Sequence, residues 1–241
     1  MNLLFSGMRQ RIGGVFAAFA FSAGCCVCGA VMTFVLAPNQ ALEARRISRL
    51  PEMDAVYLTS VAAGEEVLLT GTLQGNELLY SDLPYVAFKE ETWIVSEPTG
   101  DAESNSGRWD SDTVVPDLDL NVGGQIVVIL SATDPRLSGD LLEETILGEG
   151  PLEATYSGES LPDGTLRYEG FVDGDVATVL GEKATDGGVR PEHLFAGDRA
   201  AFETSQEEAA SGLFISGIAS MVLAPFVLIA GILGTIFWRR R

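Results

Sequence analysis

From Gly212 to Trp238 the chain reads GLFISGIASMVLAPFVLIAGILGTIFW, 27 residues without a charge. As a helix such a run reaches about 40 Å, enough to cross a hydrocarbon core with some tilt. A helix buried in a soluble core seldom needs that length. The run predicts a transmembrane helix over 212–238, followed by a basic C-terminus, Arg239, Arg240 and Arg241. Positive charge directly after a span marks its cytoplasmic side.

A second apolar run extends from Ile12 to Ala37, 26 residues. Arg9 and Arg11 before it would suit the basic start of a signal peptide, but a signal core is only about 7–15 residues long. Ser22-Ala23-Gly24-Cys25 faintly resembles a lipoprotein cleavage site, without the usual leucine three residues before the cysteine. The expectation is an uncleaved span over 12–37 behind a cytoplasmic N-terminus, 1–11. All three cysteines, Cys25, Cys26 and Cys28, lie in this run. Cys25-x-x-Cys28 has metal or redox spacing, but no second pair exists to complete a four-ligand zinc site. Small-residue packing is the simpler reading. Ala20, Gly24 and Cys28 share one face of the first helix, and Gly212, Ser216, Ser220 and Ala224 share one of the second. Such stripes let membrane helices approach closely. Pro225 is expected to kink the second span.

Residues 38–52 read as a membrane-proximal helical linker. Its Arg45, Arg46 and Arg49 leave the first helix without a clear charge bias, since Arg9, Arg11 and the terminal amine oppose them. The second helix, with three arginines after it and no lysine or arginine from Ala200 to Trp238, therefore decides. Both termini are expected in the cytoplasm, and 38–211 on the outer side of the cell membrane.

Between the spans, 53–203 has β texture. Glu66–Leu73, Tyr85–Phe88, Thr92–Val95, Leu118–Val122, Gln125–Leu130, Leu166–Val172 and Val176–Gly181 are short β-branched or alternating runs separated by glycine-containing turns. Leu161-Pro-Asp-Gly-Thr165 is a turn in which proline presets φ and Asp-Gly allows the tight return. Asp101–Ser111 reads as a surface loop, and Leu141–Leu147 as one short helix. Residues 204–211 form a helical lead-in to the second span. The fold class is a mainly β soluble domain, a small barrel or sandwich with one or two short helices, between two transmembrane α-helices.

Charge narrows the partners. All 34 acidic residues fall between Glu43 and Glu208, with ten basic residues among them, so this segment carries a formal charge of −24. Nucleic acid and anionic surfaces repel such a domain. The lipid bilayer is the partner the sequence implies, beside a protein partner it does not name. Only Lys89 and Lys183 are lysines. An acidic, lysine-poor surface suits high salt; an ordinary acidic exported domain is the alternative.

Chemistry-bearing patterns are weak. His193 is the single histidine, and no nucleophile-elbow motif accompanies it. Asp117-x-Asp119-x-Asn121 imitates the start of a calcium loop, but leucines fill the even positions and Val128 stands where the closing glutamate belongs. Asp173-Gly174-Asp175 reads as a turn. No phosphate loop or dinucleotide fingerprint occurs. No catalytic residue, metal ligand or cofactor is assigned.

The order of parts resembles the GIDE-type domain (also called BAM, "beside a membrane") of mitochondrial outer-membrane ubiquitin ligases and their prokaryotic relatives. Matching stretches are GEEVLLTGTL, with Gly64 and Gly71, and RYEGFVDGDVATVLG, with Glu169, Gly174, Asp175, Val179 and Gly181. The resemblance implies a β domain held beside a membrane by two spans. The family's eukaryotic members add a RING with cysteine and histidine ligands for two zincs, and this sequence reaches Arg241 without such ligands. The cysteine often found in the family's central region is also missing around Tyr85–Trp93. The expectation is a non-enzymatic binding, scaffold or envelope-sensing role. A ligase relative or an envelope hydrolase is the alternative.

Overall fold

A computed structural model describes residues 2–51, 53–79, 83–98 and 104–237, with side chains from 15 to 233 within those ranges. Two compact units emerge, one from 1–49 with 203–241 and one from 50–202. Among the described residues the helices are α1 (Asn2–Val31), α2 (Ala37–Arg49), α3 (Ala55–Ser60) and α4 (Arg199–Phe237), and a π-helical turn, Met32–Leu36, joins α1 to α2.

In the helical unit, the expected first span and linker form one unbroken helical run through the π turn to Arg49. The lead-in 204–211 belongs to α4, which continues through Pro225. Helices satisfy their own backbone groups, as lipid requires. Only 11% of each apolar stretch is buried, and Phe16 and Phe34 are each 70% exposed. Helices of a soluble core would bury such side chains. Two long apolar helices either side of a β domain are consistent with a two-span membrane protein.

The two helices pack antiparallel. Gly231 approaches Ala18, and the Ser22 hydroxyl donates to the Ala224 carbonyl at 2.8 Å. Gly29 meets Gly217, and the Gln40 amide donates to Gln206 Oε1 at 2.7 Å. The packing face differs from the expected one. Ala20, Gly24, Cys28, Gly212 and Ser216 are exposed and Ser220 is half-buried; only Ala224 of the expected stripes is buried. A Cβ added at Gly24 or Gly212 would meet nothing within 4 Å. Small residues occupy several faces of both helices, so four-residue spacing alone could not choose among them. Arg239, Arg240 and Arg241 lie outside the described residues.

The β domain holds strands β1 (Glu66–Leu73), β2 (Tyr85–Ser96), β3 (Ser106–Val115), β4 (Leu118–Val122), β5 (Gln125–Ile129), β6 (Ala132–Thr133), β7 (Arg136–Gly139), β8 (Leu142–Ile146), β9 (Glu153–Tyr156), β10 (Glu159–Pro162), β11 (Leu166–Val172), β12 (Val176–Lys183) and β13 (Val189–Ala196). Strands β1, β4, β5, β13 and β12 pair in that order, and β12 returns to β1, closing a five-stranded barrel. All of its neighbours are antiparallel except β5 and β13. This is the Greek-key plan of an OB-type barrel. Alternation along the strands turns Val67, Leu69, Leu120, Ile129, Val179 and Leu194 inward as its core. The β4–β5 hairpin turns at Gly123 and Gly124, both with positive φ (62° and 91°).

A second sheet, β6-β3-β2-β11-β8, is built from the segments inserted between barrel strands, and β9 and β10 pair as a separate hairpin. Two expectations are corrected here. Leu142–Ile146 is strand β8, paired with β11, not a helix. Its leucine spacing suits either structure, and partner pairing decided. The loop expected at 101–111 gives way to β3 from Ser106, paired with β2 across Trp93 and Trp109; Asp101, Ala102 and Glu103 lie outside the described residues. The turn at Asp163-Gly164 is present, with Gly164 at φ 80° and the Asp163 carboxylate accepting from the Val95 amide at 2.7 Å.

Candidate functional site

Strand β5 begins directly after the Gly-Gly turn with five residues, QIVVI, of which four are apolar. The pleat sends Val127 and Ile129 into the barrel and leaves Ile126 (51% exposed) and Val128 (39%) outside. α3 stands beside them. Asp54 caps its start, accepting from the Tyr57 amide at 2.6 Å. Lys183 caps its end, donating to the carbonyls of Leu58 (2.6 Å), Thr59 (3.3 Å) and Val61 (2.8 Å). Between α3, β5 and the β12–β13 turn lies a cleft of about 610 Å³, walled by Leu58, Ile126, Val128, Leu130, Lys183 and Gly188.

The chemistry of this cleft is mainly apolar contact. Its ammonium is taken up by three carbonyls, and the Asp186 carboxylate accepts from the Gly188 amide at 3.1 Å. Val56 and Tyr57 expose further apolar surface on α3. Contiguous exposed apolar surface marks interaction sites. In OB-type barrels the second and third strands and the loops between the first and second and the fourth and fifth form the usual binding face; of these, the third strand, β5, and the turn carrying Asp186 border the cleft. Sequence reading missed this cleft. The available signal was a strand apolar on both faces.

His193 sits on β13 opposite β7, and its Nε2 lies 2.6 Å from the Ser138 hydroxyl. The ring packs edge-on against Phe202. Burial, and then the nearby Arg136 charge, lower its pKa to about 4. So weak a base is a poor activator of a serine, and the described residues place no carboxylate in hydrogen bond to the imidazole. The pair reads as a satisfied buried histidine.

On the second sheet, Glu91 is the buried carboxylate, its side chain 9% exposed. Lys89 lies 2.5 Å from one oxygen and Arg167 bonds the other. Burial raises the Glu91 pKa, but the hydrogen bonds from Lys89 and Arg167 and their charges outweigh it, and the net shift is downward. The Arg167 guanidinium lies over Trp109, 4.7 Å from the ring centroid. Trp93, Trp109 and Tyr156 cluster around it, under the β9–β10 hairpin.

Of the residues quoted for the resemblance, Gly64, Gly71, Gly174, Asp175, Val179 and Gly181 shape the barrel strands and their turns, and Glu169 lies in the second sheet. Gly64 turns into β1 at φ 84° and Gly174 joins β11 to β12 at φ 98°. A Cβ on Gly71 would lie 2.5 Å from the Asn121 carbonyl oxygen, and one on Gly181 would lie 2.9 Å from Pro191 Cα, where the β12–β13 register shifts. Val179 is fully buried, Asp175 accepts from the Val172 amide at 2.8 Å, and Glu169 pairs on β11 with Lys89 on β2. Asp173 accepts from the Asn76 and Gly75 amides, and these bonds, the Asn76 amide's foremost, lower its pKa against the opposing effect of burial. Asp117 accepts from the Ser131 amide and Asn121 from the Gly124 amide, so the calcium-like run is an ordinary strand with satisfied ends. Among the described residues no group of three histidine, cysteine or carboxylate side chains could hold a metal ion.

No protein-family model, curated protein or solved structure matches this chain.

Proposed function

We propose that this chain is a two-span membrane protein that holds an acidic OB-type barrel on the outer side of the cell membrane and binds a protein partner there. The barrel's binding surface is the cleft between α3, β5 and the β12–β13 turn. The observation that carries this reading is the coincidence of exposed Ile126 and Val128, a cleft with internally satisfied polar groups, and two parts of the barrel type's usual binding face, the third strand and the loop between the fourth and fifth. The partner segment is apolar with basic flanks. A segment charge of −24 supports such flanks and opposes nucleic acid. On this reading the chain is a relative of GIDE-type domains that works by binding rather than by ligase chemistry, and its motif residues other than Glu169 serve the barrel.

A photo-crosslinking residue placed at Ile126 tests this in cells, with Glu159 on the exposed hairpin as control. A discrete adduct at 126, lost when Val128→Asp is added, is expected. Equal adducts at both positions, or an adduct at 159 alone, contradict the reading.

A further inference from the structure

The helical unit contains a groove of its own, of about 440 Å³, between the π-helical region with α2 and the facing part of α4. Thr33, Ala37, Ala41, Arg45, Glu207 and Phe214 line it. Its position is informative. The apolar run of the first helix ends at Ala37, and that of the second begins at Gly212. The groove therefore straddles the change from apolar to polar sequence in both helices, the depth at which a bilayer passes from acyl chain to headgroup.

Two features mark it as more than a gap. At its apolar end it reaches Thr33 of the π turn, a helix irregularity frequent at functional sites. At the polar end, Arg45 and Glu207 line the same groove, and no salt bridge joins them among the described residues. Neighbouring Arg46, by contrast, is paired with Glu43. One cation and one anion held apart above an apolar slot match a headgroup carrying both charges.

We infer that the groove binds one zwitterionic glycerophospholipid with a free ammonium. Its phosphate lies against Arg45, its ammonium against Glu207, and an acyl chain runs past Ala41, Ala37 and Phe214. This inference rests on the two helices spanning the bilayer, and is independent of the cleft on the barrel.

Native mass spectrometry of the full chain, released from bilayers containing phosphatidylethanolamine, phosphatidylcholine and phosphatidylglycerol, tests it. Flotation with the same vesicles checks insertion separately. The expected result is one retained phosphatidylethanolamine per chain. Retention should fall about tenfold in Arg45→Ala or Glu207→Ala, the order expected for losing one charge-assisted hydrogen bond. Ala41→Leu should exclude the lipid while the chain still floats. Equal retention of the three headgroups, retention unchanged by these substitutions, or a dimer retaining no lipid each overturn the inference.

Discussion

A Cβ placed on Gly29 would stand 2.6 Å from the carbonyl oxygen of Gly217, and one on Gly217 would stand 2.8 Å from the carbonyl oxygen of Gly29. The two helices thus touch backbone to backbone at these glycines, and the Thr33 side chain lies over Gly217 as well. Contacts with backbone cannot be relieved by a rotamer change.

Gly217→Leu should therefore separate the helices and destabilise the helical unit by about 1–3 kcal/mol, the usual cost of forced overpacking. Gly24→Leu should change stability by less than about 0.5 kcal/mol, because that surface is open. Thermal or detergent denaturation of the purified full chain compares the two. Equal effects would mean that the helices pack on the Ala20-Gly24-Cys28 stripe after all.

The buried His193 imposes a pH dependence. Its folded pKa, about 4, lies below the ordinary imidazole value of 6.5. The unfolded chain therefore binds a proton that the folded chain refuses. The contribution, about 3 kcal/mol, is fully present above pH 6.5 and is lost as pH falls from 6.5 to 4. In His193→Gln the melting temperature should fall less steeply over that window than in the unsubstituted chain. Parallel profiles would show that His193 titrates as an exposed residue.

The Glu91 network should behave as a unit. Glu91→Ala leaves Arg167 partly buried over Trp109 without its carboxylate, and should cost about 3 kcal/mol, the loss typical of breaking a buried pair. Glu91→Leu with Arg167→Met should recover part of that loss. Because the Glu91 pKa is lowered, its stabilisation is present above the unfolded carboxylate range and is lost as pH falls through its folded pKa. Additive losses in the double variant would show that the two residues act separately.

Salt tests the proposal that the acidic surface is adapted to brine. Self-repulsion of the −24 segment acts over a Debye length of about 30 Å at 0.01 M salt and about 3 Å at 1 M. The melting temperature of the full chain should rise clearly between those conditions. A flat response removes the high-salt reading.

Much of the fold was legible because it rests on periodicity. Two uncharged runs marked the long helices, and alternation with Gly-containing turns marked most barrel strands. The failures share a cause: sequence spacing does not state which face meets a neighbour. Ala20, Gly24 and Cys28 satisfy the small-residue rule as well as Ser22 and Gly29 do, and only the opposite helix distinguishes them. Leu141–Leu147 fits either helix or strand until β11 is beside it. The candidate cleft was invisible for a related reason. QIVVI reads as core, and the outward exposure of Ile126 and Val128 appears only when β5 is placed in a barrel whose interior is already full.

The central claim is that two helices cross the membrane and hold 38–211 on the outer side. In a chain with Cys25, Cys26 and Cys28 replaced by alanine, single cysteines are placed at Asn2 and at Ser104, an exposed residue just before β3. An impermeant maleimide applied to intact cells should label Cys at 104 and leave Cys at 2 untouched until the membrane is opened. Labelling at 2 with protection at 104 would invert the topology, and labelling at both would contradict a chain with two spans.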